Sequence, residues 1–121
     1  MAYDDNNIFA RILRGEIPCA KLHEDEFALA FPDIRPQAPT HILVIPKGRY
    51  ISAADFNANA DGAELTGFYR AVSHVAKQAG VEKSGYRIIC NAGPHSHQDV
   101  PHFHVHILGG RALGHMLGPP L

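Results

Sequence analysis

The sequence has no tryptophan, only two cysteines and no run of lysine or arginine. The formal net charge is −1, from 11 basic and 12 acidic side chains, so the basic stripe typical of nucleic-acid-binding proteins is missing. The N-terminal stretch MAYDDNNIFARILRG contains no uninterrupted apolar segment, which argues against a signal peptide or a membrane helix. We therefore expect a cytoplasmic protein with neither a nucleic-acid nor a membrane partner.

The two cysteines, Cys19 and Cys90, lie far apart in the chain and form no CxxC pair. This pattern predicts two reduced and mostly buried thiols, with Cys90 packed on a core strand. The 121 residues show no internal repeat and no linker. We therefore predict a single domain, residues 1–121, built around one core.

Hydrophobic periodicity predicts two helices. A short one contains Ile8, Phe9, Ile12 and Leu13, with capping residues available at Asp5 and Asn6 and a terminating glycine at position 15. A longer one runs through residues 61–80, with Asp61 as its cap. The apolar face of the longer helix comprises Leu65, Phe68, Tyr69, Val72, Val75 and Ala76.

Strands account for most of the remaining apolar segments. Residues 19–34 read as two strands joined by a tight acidic turn, followed by single strands at 41–46, 85–91 and 102–108. Strands that are mostly antiparallel, together with one long and one short helix, make an α+β domain.

Histidine is the unusual component of this chain. Five of its nine histidines fall within HSHQDVPHFHVHILGG, residues 95–110. Three of them, His102, His104 and His106, occupy alternate positions and therefore share one face of a strand. The interleaved apolar residues predict a core face, and the imidazoles predict an opposite face that is open to a cavity or to water.

Three interpretations of this histidine row are open from the residues alone. The first is a solvated polar face. The second is a metal site, although three ligands on one strand would be too spread out, so a further ligand is needed from His95, His97 or His41. The third is a catalytic histidine flanked by partners that bind an anion or hold its tautomer.

The segment HFHVHILGG resembles the signature of the histidine triad family. The segments IFARILRGEIP, FPDIRPQAPTHILVIPK, GYRIICNAG and QDVPHFHVHILGGR extend the similarity to the nucleotide-binding protein branch of that family. The resemblance implies a sheet of about five antiparallel strands and a homodimer with the long helix near its interface. It also implies a purine nucleotide hydrolase acting on the α-phosphorus of AMP or GMP derivatives, with no cofactor and no metal.

The same resemblance assigns roles to individual residues. His104 matches the nucleophile that forms a nucleotidyl-histidine intermediate, and His106 matches the residue that contacts the phosphate. His102 matches the residue that supports the ring network, helped by His41. The nucleotide-binding set matches Asp33 at the ribose, the loop residues Asn91, His97, Gln98 and Asp99 near the phosphate, and an apolar group around the base: Ile8, Phe9, Ile12, Phe31 and Ile34.

The chain departs from the family pattern at several positions. Asp99 stands where several members have a serine that bonds the phosphate or the leaving group, so Asp99 is protonated, paired with a histidine or turned away. His97 stands where glycine is frequent. Asn7 and Ala10 replace the cysteines of a zinc site found in some relatives, so we expect no zinc there. A nucleotide-binding adaptor with incidental activity and a dinucleoside polyphosphate hydrolase are the alternative functions.

Overall fold

The computed structural model describes residues 2–118. Within this range the α-helices are α1 (Ile8–Leu13), α2 (Ala53–Asn59) and α3 (Gly62–Gln78), and a short 3₁₀ turn spans Pro94–Ser96. The strands are β1 (His23–Glu24), β2 (Ala28–Pro32), β3 (Thr40–Pro46), β4 (Tyr86–Ile89) and β5 (Val105–Gly109). None of the described helices is long and apolar enough to cross a membrane.

The five strands form one antiparallel sheet in the order β1-β2-β3-β5-β4. The α+β class and the five-stranded antiparallel sheet predicted from the sequence are confirmed. In the centre of the sheet, Leu43 of β3 lies opposite His106 of β5. Residues directly opposite each other share a face, so this register places the His106 side chain on the same side of the sheet as Leu43.

The two faces of the sheet carry separate apolar clusters. On one face α3 covers β2, β3 and β5, and the buried side chains there include Phe56, Phe68, Phe103, Val105 and Ile107. On the other face α1 contributes to a smaller cluster made of Phe9, Ile12, Leu29, Phe31, Leu43 and Ile45. The side chain of His106, the histidine of β5, therefore lies on the α1 side, away from the main core.

Helix α3 agrees with the periodicity of the sequence. Asp61 accepts a hydrogen bond from the backbone N–H of Glu64, whose side chain accepts one from the backbone N–H of Asp61, and this reciprocal pair fixes the start of the helix. Gly80 follows the helix with a φ of 79°. Tyr69 was predicted on the buried face, but its side chain is 41% exposed, because the buried face is centred on Phe68, Val72 and Val75 and Tyr69 lies at its margin.

Three local predictions were wrong or incomplete. Helix α1 is capped by Asn7, whose side-chain oxygen accepts from the Ala10 N–H at 2.9 Å, and not by Asp5 or Asn6. Helix α2 was not predicted, and it begins at the Ser52 cap. Cys90 is exposed and Cys19 is half-buried, because Cys90 follows the last residue of the edge strand β4, on which Tyr86 and Ile88 are exposed too.

Candidate active site

Of the histidine row predicted to face a cavity or water, His104 and His106 line a cavity, but His102 is enclosed by the protein. His102 is 0% exposed and His104 is 6% exposed, because α1 and the N-terminal residues cover this side of the sheet. Strand β5 begins only at Val105, so His102 and His104 lie in the segment that leads into it. Buried imidazoles need hydrogen-bond partners, and those partners determine the tautomer of each ring.

His102 has a partner on each ring nitrogen. Its Nε2–H donates to the Pro46 carbonyl oxygen at 3.0 Å, which leaves Nδ1 as the acceptor for the Tyr3 hydroxyl at 2.6 Å. Burial lowers the pKa of His102 to about 4, since a charged ring would lose its hydration there. His102 is therefore a neutral, fixed ring whose two nitrogens are both occupied.

His104 is bound through the backbone of His102. Its Nδ1–H donates to the His102 carbonyl oxygen at 2.7 Å, so Nε2 carries the lone pair. Burial lowers the pKa of His104, which keeps the ring neutral at pH 7. The edge of Phe9 packs against the ring with centroids 5.0 Å apart. The result is an oriented imidazole with one unprotonated nitrogen.

A relay of hydrogen bonds fixes His106. The Gln37 N–H donates to His41 Nδ1 at 3.0 Å, so His41 carries its proton on Nε2 and donates to His106 Nδ1 at 2.9 Å. His106 therefore carries its proton on Nε2. Burial, reinforced by the neighbouring rings His104 and His41, lowers the pKa of His106 to about 4. This ring is a neutral hydrogen-bond donor beside His104.

The supporting contacts differ from those expected. His41 was expected to help His102, but it bonds His106, and Tyr3 bonds His102. Gln37 lies within the PQAPTH segment, yet its backbone role left no signal in the sequence. Tyr3 is 99 positions from its partner, and no local pattern connects the two residues.

A cavity of about 230 Å³ opens at His104 and His106. Its polar lining comes from His104 and His106, from the turn after β2 and from the loop before His102. Its apolar lining comes from Phe9, Leu43 and Val100. The polar side chains are Asp33, Gln37, Asn91, Ser96, His97, Asp99, His104 and His106. A larger groove of about 640 Å³ lies between the β1–β2 turn and α3, but no triad residue lines it.

One group of potential metal ligands occurs within residues 2–118. Donor atoms of Asp33, His41 and His106 lie within 4.8 Å of one another. In the relay described above, however, His41 Nε2 holds a proton and His106 Nδ1 accepts it, so neither nitrogen offers a free lone pair. A metal ion there would have to displace that proton and break the relay. The arrangement suits hydrogen bonding better than metal binding.

Comparison with known proteins identifies the family. A HIT domain model matches residues 14–113. The chain is 60% identical over 115 residues to an uncharacterized 13.2 kDa HIT-like protein of Azospirillum brasilense, covering 95% of this chain and 94% of the relative. It is 42% identical over 113 residues to the purine nucleoside phosphoramidase of Escherichia coli K12, covering 93% and 94%. The chain belongs to the HIT family.

The fold agrees with solved structures of the HIT family. A histidine triad protein from Clostridium difficile superposes with a TM-score of 0.84 at 38% sequence identity, covering 94% of this chain and 98% of that chain. The short α1, the long α3 and the five-stranded sheet of this HIT-family protein are therefore features of a known architecture.

The structure separates the predicted base-binding residues of this HIT-family protein into two groups. Phe9, Ile12 and Phe31 are buried in the α1-side cluster, and of these only Phe9 lines the cavity. Ile8 and Ile34 are exposed, Ile34 to 90%. Each of these exposed residues adjoins a cavity-lining residue, Phe9 or Asp33, in the chain.

The loop before His102 carries several residues predicted to bind the nucleotide, and not all of them line the cavity. Asn91 lines the cavity. Gln98 does not, because its amide nitrogen donates to the Ile51 and Val100 carbonyls and its oxygen accepts from the Gly93 N–H. Gln98 thus holds the loop in shape. Of the three arrangements open for Asp99, the structure favours proximity to a histidine: Asp99 Oδ1 lies 3.1 Å from His97 Nε2, and both side chains are largely exposed at the mouth of the cavity.

Proposed function

We propose that this HIT-family protein is a purine nucleotide hydrolase. It cleaves adenosine or guanosine 5′-phosphoramidates, or acyl-nucleotides, at the α-phosphorus through a covalent intermediate on His104. The observation that carries the proposal is the His104 Nδ1–H bond to the His102 carbonyl, which leaves Nε2 unprotonated at the cavity. The phosphoramidase among its relatives supports the choice of substrate.

The first step is displacement at phosphorus. His104 Nε2 forms a bond to the α-phosphorus while the phosphorus–nitrogen bond breaks, and the leaving nitrogen takes a proton from solvent water and departs as a neutral amine. The imidazole becomes cationic, and its Nδ1–H bond to the His102 carbonyl then becomes a stronger, charge-assisted one. His106 Nε2–H donates to a phosphate oxygen as charge develops there. The proposal involves no metal or cofactor.

The second step returns the enzyme to its starting state. Water attacks the phosphorus and loses a proton to the solvent, which balances the proton taken up in the first step. Nε2 departs as a neutral imidazole, and AMP or GMP is released. An imidazolium bonded to phosphorus is a good leaving group, so two moderate barriers replace one high barrier. The relay through His41 keeps the His106 proton on the cavity side during both steps.

The nucleoside would occupy the apolar side of the same cavity. Phe9 lines it, Ile12 and Phe31 pack behind Phe9, and the exposed apolar side chains of Ile8 and Ile34 adjoin it along the chain. Burial of those exposed side chains by a purine would stabilise the complex. Asp33 lines the cavity too, and its carboxylate accepts hydrogen bonds of the kind that ribose hydroxyls donate.

The proposed function predicts a metal-independent reaction. Incubation with adenosine 5′-phosphoramidate and EDTA should release AMP, and rapid acid quenching should yield protein that carries one AMP, detected by intact mass and located at His104 by peptide mapping. Loss of activity in EDTA that returns with added zinc would contradict the mechanism. Faster cleavage of diadenosine polyphosphates than of the phosphoramidate would favour the dinucleoside polyphosphate alternative.

We also propose a cytoplasmic homodimer formed at the outer edge of β4. Within residues 2–118, strand β4 pairs with β5 alone, and α3 covers β2, β3 and β5. Tyr86 and Ile88 of β4 are 37% and 51% exposed, next to an α3 that exposes Tyr69. An apolar strip on an unpaired edge strand is suited to a second copy of the chain.

The dimer predicts a specific response to charge. Ile88→Glu should convert the protein to a monomer, since two glutamates related by the dimer axis would be buried against apolar surface. Leu22→Glu, which alters a similarly exposed side chain near the opposite edge of the sheet, should leave the mass unchanged. Light scattering after size-exclusion chromatography measures both. A wild-type monomer at micromolar concentration would contradict the proposed dimer.

A further inference from the structure

The charges around the cavity are unusual for a site that takes an anionic phosphate. Two carboxylates, Asp33 and Asp99, line it, and its lining within residues 2–118 includes no lysine or arginine. Burial lowers the pKa of both His104 and His106, so these rings add no positive charge at pH 7. The guanidinium of Arg111 bonds the Gln37 carbonyl oxygen at 3.4 Å without lining the cavity.

The carboxylates of Asp33 and Asp99 differ in their contacts with the rest of the chain. Asp33 Oδ1 accepts the Arg35 N–H at 2.8 Å, and Asp33 Oδ2 lies 3.5 Å from His41 Nε2, whose proton is donated to His106. Asp33 is the carboxylate proposed above to bind the ribose hydroxyls. Asp99 Oδ1 faces His97 Nε2 at 3.1 Å, while Asp99 Oδ2 has no protein partner in the described part of the chain. Asp99 Oδ2 is therefore a carboxylate oxygen of the cavity still able to accept from a ligand.

The loop holds Asp99 in this position. His97 adopts the left-handed backbone conformation with a φ of 60°, which residues other than glycine rarely take. The three hydrogen bonds of the Gln98 amide tie the neighbouring residue to Gly93, Ile51 and Val100. The backbone on the N-terminal side of Asp99 is thus fixed by contacts that do not involve its carboxylate.

We propose that Asp99 selects substrates whose leaving amine carries a second, protonated amino group. This inference rests on the proposed function, because it concerns the leaving-group side of the same reaction. The phosphate already brings one negative charge into a cavity that holds two carboxylates. A protonated amine on the leaving group offsets that charge and donates to Asp99, whereas an anionic leaving group meets repulsion from Asp99.

The test uses three phosphoramidates of AMP that differ only in the leaving amine. They join AMP to 1,3-diaminopropane, which is cationic at its free end, to n-butylamine, which is neutral and of similar length, and to β-alanine, which is anionic. For the wild-type protein, kcat/KM should be about threefold higher for the cationic than for the neutral substrate. The anionic substrate should be slower than the neutral one, and high salt should reduce both differences.

Two variants assign the preference to one carboxylate. Asp99→Asn should bring the cationic-to-neutral ratio of kcat/KM close to one. The ratio is measured within one variant, so any general loss of activity cancels. Glu82→Gln removes an exposed carboxylate outside the cavity and should keep the wild-type ratio, which controls for the change in net charge.

The outcomes distinguish the two proposals. If wild-type protein cleaves none of the three substrates, the proposed function is wrong. If it cleaves them at equal rates, or if the preference for the cationic substrate survives Asp99→Asn, the function stands and the role of Asp99 is wrong. A preference that disappears in Asp99→Asn and persists in Glu82→Gln supports selection by Asp99.

Discussion

His104→Ala is expected to reduce kcat/KM for AMP release from adenosine 5′-phosphoramidate by at least about a thousandfold. Among His102, His104 and His106, the variant loses the ring whose hydrogen bonds leave an unprotonated nitrogen at the cavity. His102 is occupied at both nitrogens, and His106 accepts a proton at Nδ1 and carries one at Nε2. Neither neighbour can therefore replace the nucleophile without rearranging its hydrogen bonds.

Two measurements show whether the loss is chemical or structural. AMP binding to His104→Ala, followed by calorimetry, should stay within a few-fold of wild type, because the apolar side of the cavity and Asp33 are unchanged. His95→Ala removes an exposed imidazole of the 3₁₀ turn that does not line the cavity, and it should retain activity. Turnover by His104→Ala at the wild-type rate would assign the nucleophile to another residue.

Acidification from pH 7 to pH 4.5 should lower the free energy of unfolding by about 2 kcal/mol through His102 alone. The pKa of this ring is about 4 in the folded protein and 6.5 as its ordinary value. The unfolded chain therefore binds more protons than the folded chain between these values, and stability falls with falling pH across that window. Well above pH 6.5 the ring is neutral in both states and contributes no pH dependence.

The effect can be assigned with substitutions. Urea unfolding at pH 7 and at pH 4.5 should show a smaller difference between the two pH values in His102→Gln than in wild type, whatever the absolute stability of the variant. His106 has a pKa of about 4 as well, so His106→Gln should reduce the difference in the same direction. His74→Gln, at an exposed ring on α3, serves as the control. An unchanged difference in His102→Gln would show that this ring is not the acid-sensitive group.

Elements with strong local patterns were predictable from the sequence. The apolar periodicity of α3, its acidic cap and its terminating glycine lie within one short segment, so the helix could be placed almost to the residue. Helix α2 was missed for the opposite reason. Its seven residues bury only Phe56, so they show no helical stripe, and the helix depends on the packing of that one ring against Phe68 and Phe103.

In the candidate site, too, some features could be predicted from the sequence and others could not. The alternation of His102, His104 and His106, and the family signature that contains it, are properties of the sequence, so the proposed catalytic residues could be named without coordinates. The burial of each ring, and the nitrogen that carries its proton, could not be predicted from the sequence. Those properties depend on Tyr3, Gln37 and the Pro46 carbonyl, and the Tyr3 and Pro46 contacts lie 99 and 56 positions from His102.

The sequence by itself therefore determined the family, the sheet and the row of imidazoles, because side-chain alternation and helical periodicity are local. The tertiary structure decided that His102 is enclosed, that His41 serves His106, and that Asp99 lies beside His97. Burial and hydrogen bonding arise from segments that meet only in the folded chain. They leave His104 with an unprotonated Nε2, His106 with a protonated Nε2 and His102 with both nitrogens occupied.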